Sequence, residues 1–213
     1  MIHVLLPKEL DISNIKYSDA KSNIMGGQSV FITNNDSKIY IQTPKCKCIS
    51  GVSHYTTSNG DTIQSLNLTL SSSTESNIMI KTFLEVLDES NIIYAEKSSL
   101  KWFKKLLSRD IIMSMYNMQV QNDKFKVKLP MKNSDFEGLV FDKNNKEIEL
   151  ESIKPGCTVQ CIIECSGIYF MPSKFGISWK ALQIKLLESP TETGYSFIDE
   201  EIIDKFEDVE PMT

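Results

Sequence analysis

Residues 168–187 read IYFMPSKFGISWKALQIKLL. Tyr169, Phe170, Phe175 and Trp179 fall within eleven residues, and Lys174, Lys180 and Lys185 are interleaved with them. The MPSKFG segment, residues 171–176, has the composition of a loop, so the stretch is predicted to be two strands joined by a turn. Strict alternation in the second strand sends Leu182, Ile184 and Leu186 to the core. Trp179, Ala181, Gln183 and Lys185 then share the opposite face. A ring beside lysines on a sheet surface suits base stacking, worth roughly 1–3 kcal/mol per base, with the cations neutralising the backbone. The competing reading places the same rings in the core, where aromatics of β-rich proteins mostly lie.

The pattern of short strands extends outward from there. Residues 123–130, DKFKVKLP, put Lys124, Lys126 and Lys128 on one face and Phe125, Val127 and Leu129 on the other. Lysines about 6–7 Å apart along a strand can follow phosphates, or they protect a solvated edge. Residues 29–34 and 38–43 form a hairpin across Asn35-Asp36-Ser37, with Ile39 and Ile41 opposite Lys38, Tyr40 and Gln42. Asn59-Gly60 marks a second hairpin. One helix interrupts the strands over residues 75–96, after a Ser/Thr cluster suited to the N-cap, with Met79, Phe83, Val86, Leu87 and Ile93 near helical spacing. A shorter helix or turn runs through residues 99–109, SLKWFKKLLSR. There Trp102, Lys104 and Lys105 form a third candidate contact, unless Trp102 packs inward. The expected fold is β-rich α+β, an OB-like Greek-key barrel with a helical insertion, because closure removes exposed edges.

Charge divides the chain in two. Residues 1–187 carry 22 Lys/Arg against 19 Asp/Glu, a net of +3, whereas the whole chain is −5. The remainder holds nine acidic side chains and one lysine, Lys205. The expected organisation is a nucleic-acid-binding body over residues 1–188 and an acidic tail over 189–213, disordered or docked. Such a tail can cover a basic groove or recruit partners. Ile198, Ile202 and Phe206 have the spacing of an amphipathic helix, with Ile202 and Phe206 as partner-binding candidates. Lysine outnumbers arginine 22 to 1, so phosphate contact falls to point charges and bidentate arginine readout of guanine is nearly excluded.

Other function classes find little support. No apolar run reaches the roughly 18–20 residues of a membrane span, and the N-terminus lacks the basic segment and cleavage site of a signal peptide. Five cysteines show no disulfide spacing, so an intracellular location with free thiols is expected. Cys157, Cys161 and Cys165 recur every four residues, and Cys46-x-Cys48 is a looser pair; buried thiols fit both better than a metal site. His3 and His54 belong to no recognisable constellation. With no phosphate loop, zincin helix or nucleophile elbow, neither catalysis nor a cofactor is expected.

The run from about residue 115 to 187 carries a resemblance. VFDKN at 140–144, GIYF at 167–170 and FGISWK at 175–180 resemble the single-stranded DNA-binding family of nucleocytoplasmic large DNA viruses, including its asfarvirus member. The resemblance implies an OB-like barrel and non-sequence-specific binding of single-stranded DNA in viral replication, recombination or repair. It also implies residence in the viral factory of the host cytoplasm or in the virion, with replication proteins as partners of the tail and oligomerisation left open. The alternative is a structural or virion-associated protein that docks partners through its C-terminus.

Overall fold

Alternation holds most strictly in residues 124–129, where Phe125, Val127 and Leu129 are buried and Lys124, Lys126 and Lys128 are exposed. The computed structural model describes residues 2–22, 27–56, 60, 62–71 and 73–190. Its main elements are β1 (Gln28–Val30), β2 (Tyr40–Gln42), β3 (Cys46–Thr56), β4 (Thr62–Thr69), α1 (Glu75–Lys97), α2 (Ser99–Phe103) and α3 (Arg109–Met115). They are followed by β5 (Lys124–Leu129), β6 (Leu139–Phe141), β7 (Thr158–Phe170) and β8 (Phe175–Glu188). Ser58, Asn59 and Asp61 of the second hairpin turn lie outside the described residues, as does most of the acidic tail.

Five strands close into a ring: β3 pairs β4, β4 pairs β5, β5 pairs β8, β8 pairs β7, and β7 returns to β3. All junctions are antiparallel except β5 with β8, which is parallel. This is an OB-like barrel, and closure satisfies edges that an open sheet would expose. The helices are inserted between its second and third strands. Short strands β1 and β2 add to the outer side of β7 along its length, and β6 runs parallel to β8.

Of three irregularities in the β7–β8 ladder, the two away from its Thr158 end set which side chains face outward along the middle of the sheet. Cys165 pairs with Trp179 but Gly167 pairs with Ser178, so Ser166 is an extra residue in β7. Upstream of it Cys161, Ile163 and Cys165 face the core; downstream the phase reverses, Ile168 is buried, and Tyr169 turns outward. In β8, Ile162 pairs with Gln183 and Ile163 with Ala181, so Leu182 is extra. Phe175, Ile177, Trp179 and Ala181 are buried before it and Ile184 after it. Unbroken alternation through Leu182, Ile184 and Leu186 is therefore wrong for β8. A bulge inserts one residue and exchanges the two faces, so Trp179 and Ile184 both point inward.

Helix α1 starts where expected. The Thr74 hydroxyl accepts a hydrogen bond from the Asn77 backbone N–H at 3.3 Å, satisfying one of the free donors of the first turn. Its buried stripe differs from the expected one: Ile80, Leu84, Leu87, Asn91 and Ala95 face inward, and Val86 and Ile93 are exposed. Asp88 and Asn91 lie within the stripe because they have partners there. Asp88 accepts from the Tyr116 hydroxyl at 2.6 Å and from the Gln119 side chain at 2.7 Å. Asn91 donates to the Tyr116 hydroxyl and accepts from Tyr17. α2 ends at Lys104, which adopts a left-handed conformation at φ 60°, and α3 begins only at Arg109, so residues 99–109 are not one helix.

Burial raises the Asp88 pKa above its ordinary value, and its hydrogen bonds offset only part of that. In the window above pH ~4 the native state then binds more protons than the unfolded chain, so this residue's contribution to stability falls as pH rises. Urea unfolding of the wild type and Asp88→Asn across this range checks the sign. The wild type should lose stability relative to the variant as pH increases, and the reverse trend would refute the assignment.

Candidate nucleic-acid interface

The outer face of β4, β5, β8 and β7 forms a groove. Lys128 lies opposite Ser65 on β4 and Lys180 on β8, and the groove continues over Ser178 and Gly167 to Tyr169, with Ile63 on its other side. Its volume is about 430 Å³. The Lys128 ammonium folds back to 5.4 Å from the centre of the Tyr169 ring, and Tyr169 is fixed in turn by the Asn117 amide, which donates to its hydroxyl at 3.0 Å. Desolvation, and secondarily Lys126, lower the Lys128 pKa. A cation held in this way is poised to gain an anionic partner.

A carboxylate organises the neighbouring lysines. Glu164 is nearly buried, and its two oxygens meet Lys38 at 2.9 Å and Lys180 at 3.3 Å. The two ammonium groups outnumber the single carboxylate, so this row keeps a positive excess. The Lys38 pKa is raised by its hydrogen bond to Glu164.

Two further rings stand on this face. Alternation across Ser29, Val30, Phe31 and Ile32 buries Val30 and Ile32, leaving Phe31 47% exposed, with the Lys21 ammonium 5.7 Å from its centre. Phe31 lies over Gly167, whose φ is +94°. A Cβ there would come within 2.4 Å of the Val30 carbonyl oxygen, so only glycine allows this approach. Tyr55 pairs with Ile63 and is 61% exposed. Phe31, Tyr55, Lys21 and Lys38 were missed by the sequence reading. The alternation in SVFITN pointed to Phe31, but no lysine lies next to it in sequence to draw attention to it.

The structure brings together Lys126, Lys128, Lys180 and Tyr169, with Lys124 further along the same strand. Lys185 is on the same outer side of β8, near Asn145. It corrects three of the ring assignments. Phe175, Trp179 and Trp102 are buried and offer no face to a base. Trp179 packs on Phe125 and donates its indole N–H to Gln119 at 2.5 Å. Trp102 packs against Tyr94 and Phe170, and Phe103 against Phe175, so these rings join the helices to the barrel. Lys104 and Lys105 lie in the loop after α2, and Lys174 at the β7–β8 turn donates to the Ser114 carbonyl; none of the three lines the groove. Ile202 and Phe206 lie outside the described residues.

All five cysteines are buried, and burial pushes the thiols of Cys46 and Cys165 up to about 12, which keeps them protonated. Among the described residues no group of three or more His, Cys, Asp or Glu side chains could hold a metal ion. No described helix is long and apolar enough to cross a membrane.

The signature of DUF5871, a family of unknown function, matches residues 61–199, more than half of the chain, and the chain belongs to that family. No curated protein matches the sequence. Among solved structures, the chain is similar to gp2.5, a single-stranded DNA-binding protein encoded by bacteriophage T7, at a TM-score of 0.52 and 12% identity, over 74% of this chain and 98% of that one. It is also similar to the single-stranded DNA-binding protein of bacteriophage Enc34 in complex with single-stranded DNA, at a TM-score of 0.46 and 12% identity, over 82% of this chain and 97% of that one. At such identity the likeness to gp2.5 concerns the fold.

Proposed function

We propose that this protein binds single-stranded DNA without sequence preference and performs no catalysis. The observation that carries the reading is the outer barrel face, which carries Lys126, Lys128 and Lys180 together with Tyr169, Phe31 and Tyr55. Rings supply stacking for any base, and ammonium groups supply sequence-independent phosphate contact. The face includes the second and third barrel strands, the surface on which OB-folds bind oligonucleotides. The likeness in fold to gp2.5, a single-stranded DNA-binding protein, supports the same activity.

The resemblance of residues 115–187 extends the reading to replication, recombination or repair in a large DNA virus, with the protein in the viral factory or the virion. In this reading residues 189–213 compete with DNA for the lysine face and contact replication proteins. An oligo-dT shift assay at low ionic strength tests it. The full chain should bind, and removal of residues 190–213 should tighten binding. Absence of affinity in both forms would overturn the proposal.

A further inference from the structure

Beyond the groove, the same outer side of the barrel holds a second, smaller cavity of about 230 Å³. Ladder register builds it from two rows. In the first, Ile162 is flanked by Gln42 on β2 and Gln183 on β8. In the second, Lys185 is flanked by Gln160 on β7 and Phe141 on β6. The extra residue Leu182 makes this possible. Without it, Gln183 and Lys185 would point into the core while Ser178 and Lys180 pointed out.

The chemistry of the lining is specific. Ile162 forms an apolar floor, and half-buried Phe141 forms a wall. Around them stand three glutamine amides and Asn145, and among the described residues no carboxylate lines the cavity. Gln160 spends one N–H on the Thr43 carbonyl at 3.0 Å, and its own oxygen accepts no hydrogen bond among the described residues. The Lys185 ammonium donates to the Asn145 oxygen at 2.5 Å, which leaves the Asn145 N–H groups and the remaining ammonium protons at the rim. The side chains of Gln42 and Gln183 make no hydrogen bond among the described residues. Amides carry both donors and acceptors, as do the edges of nucleobases. The volume falls below the roughly 300–1,000 Å³ of pockets for drug-sized ligands and suits a single ring system.

We propose that this cavity is a nucleobase subsite. A base inserts against Phe141 and meets the glutamine amides with its edge, while Lys185 neutralises the attached phosphate. The subsite rests on the single-stranded DNA reading, and it extends the bound strand along β7 from Tyr169 past Glu164 to Gln160, about 30 Å at the rise of an extended strand. The shared chemistry is a base with its phosphate, whether from a polynucleotide or a free nucleotide.

The test uses the full chain with Phe141→Ala and, because Gln183 is exposed and its truncation leaves the core untouched, Gln183→Ala. Fluorescence anisotropy with oligo-dT should show about tenfold weaker binding for Phe141→Ala and a smaller loss for Gln183→Ala. The salt dependence should not change, since no ionic contact is removed. On an abasic strand of equal length both variants should match the wild type. Wild-type affinity for oligo-dT in both variants would overturn the subsite and leave the lysine groove standing. Titration with thymidine monophosphate, followed by the side-chain amide resonances of Gln42 and Gln183, separates the sources. Shifts with the nucleotide assign a free-nucleotide site, even if oligo-dT itself fails to bind and the DNA reading falls. Shifts only with oligo-dT assign a strand subsite. No shift with either ligand overturns the proposal.

Discussion

Replacing Lys126 and Lys128 by glutamine should weaken oligo-dT binding by at least about tenfold at low salt and flatten its salt dependence. Each lysine that neutralises a phosphate on a single strand releases condensed counterion, contributing about 0.7 to the slope of log K against log salt. The double variant should therefore lose about 1.4 from that slope. The loss should be nearly the same for oligo-dT and mixed sequences, because phosphate contact carries no base information. Lys128 adds a pH signature. Its pKa is lowered in the free protein, and a phosphate beside it favours the charged form. Binding should weaken as pH rises through that lowered pKa, and this dependence should disappear in Lys128→Gln. Lys104→Gln/Lys105→Gln serves as the control. Those lysines precede α3 and do not line the groove, so that variant should bind within about twofold of the wild type. Equal losses in the two double variants would mean that affinity reflects overall charge and not a built face.

These contrasts also mark where the sequence was readable. The KFKVKL strand was legible because period-2 alternation over six residues leaves one arrangement against a core. The burial of Ile39 and Ile41 was equally plain, as was the start of α1 at its Thr74 cap; the expected hairpin is confined to Ser37 and Lys38 against Asn34 and Thr33, because residues 40–42 pair with β7 instead. β8 was not legible, because the extra residue at Leu182 has no local signature: it carries neither Gly nor Pro, and its effect appears only in the pairing with β7. Tyr169 reached the surface through the matching irregularity at Ser166. The buried stripe of α1 was hidden for another reason. Asp88 and Asn91 look like solvent-facing residues until Tyr116, Gln119 and Tyr17 arrive from distant parts of the chain to satisfy them. The cavity around Gln183 combines both difficulties. Its amides come from β2, β7 and β8, and glutamine in a strand carries no signal of its own.

Trp179 separates the role of a ring in folding from a role in binding. Trp179→Ala should cost about 3–5 kcal/mol of stability, the usual range for emptying a buried aromatic site. That is a large share of the roughly 5–15 kcal/mol available to a domain. The side chain is 2% exposed and packs edge-on against Phe125 at 6.3 Å. Its indole N–H also satisfies Gln119, which in turn holds Asp88 on α1, so truncation loosens the link between barrel and helix as well as the core. Trp179→Phe retains most of the apolar volume but leaves the Gln119 oxygen without its donor, at a cost of about 1–3 kcal/mol. Urea unfolding measures both losses. Trp179→Phe should remain folded and bind oligo-dT within about twofold of the wild type, because in the proposed interface stacking falls to Tyr169, Phe31 and Tyr55. Trp102 and Trp179 are both buried, so intrinsic tryptophan fluorescence should resist acrylamide quenching and change little when DNA binds. A folded Trp179→Phe protein with tenfold weaker DNA binding, or strong quenching by oligo-dT, would place the ring on the DNA and overturn the interface described for the barrel.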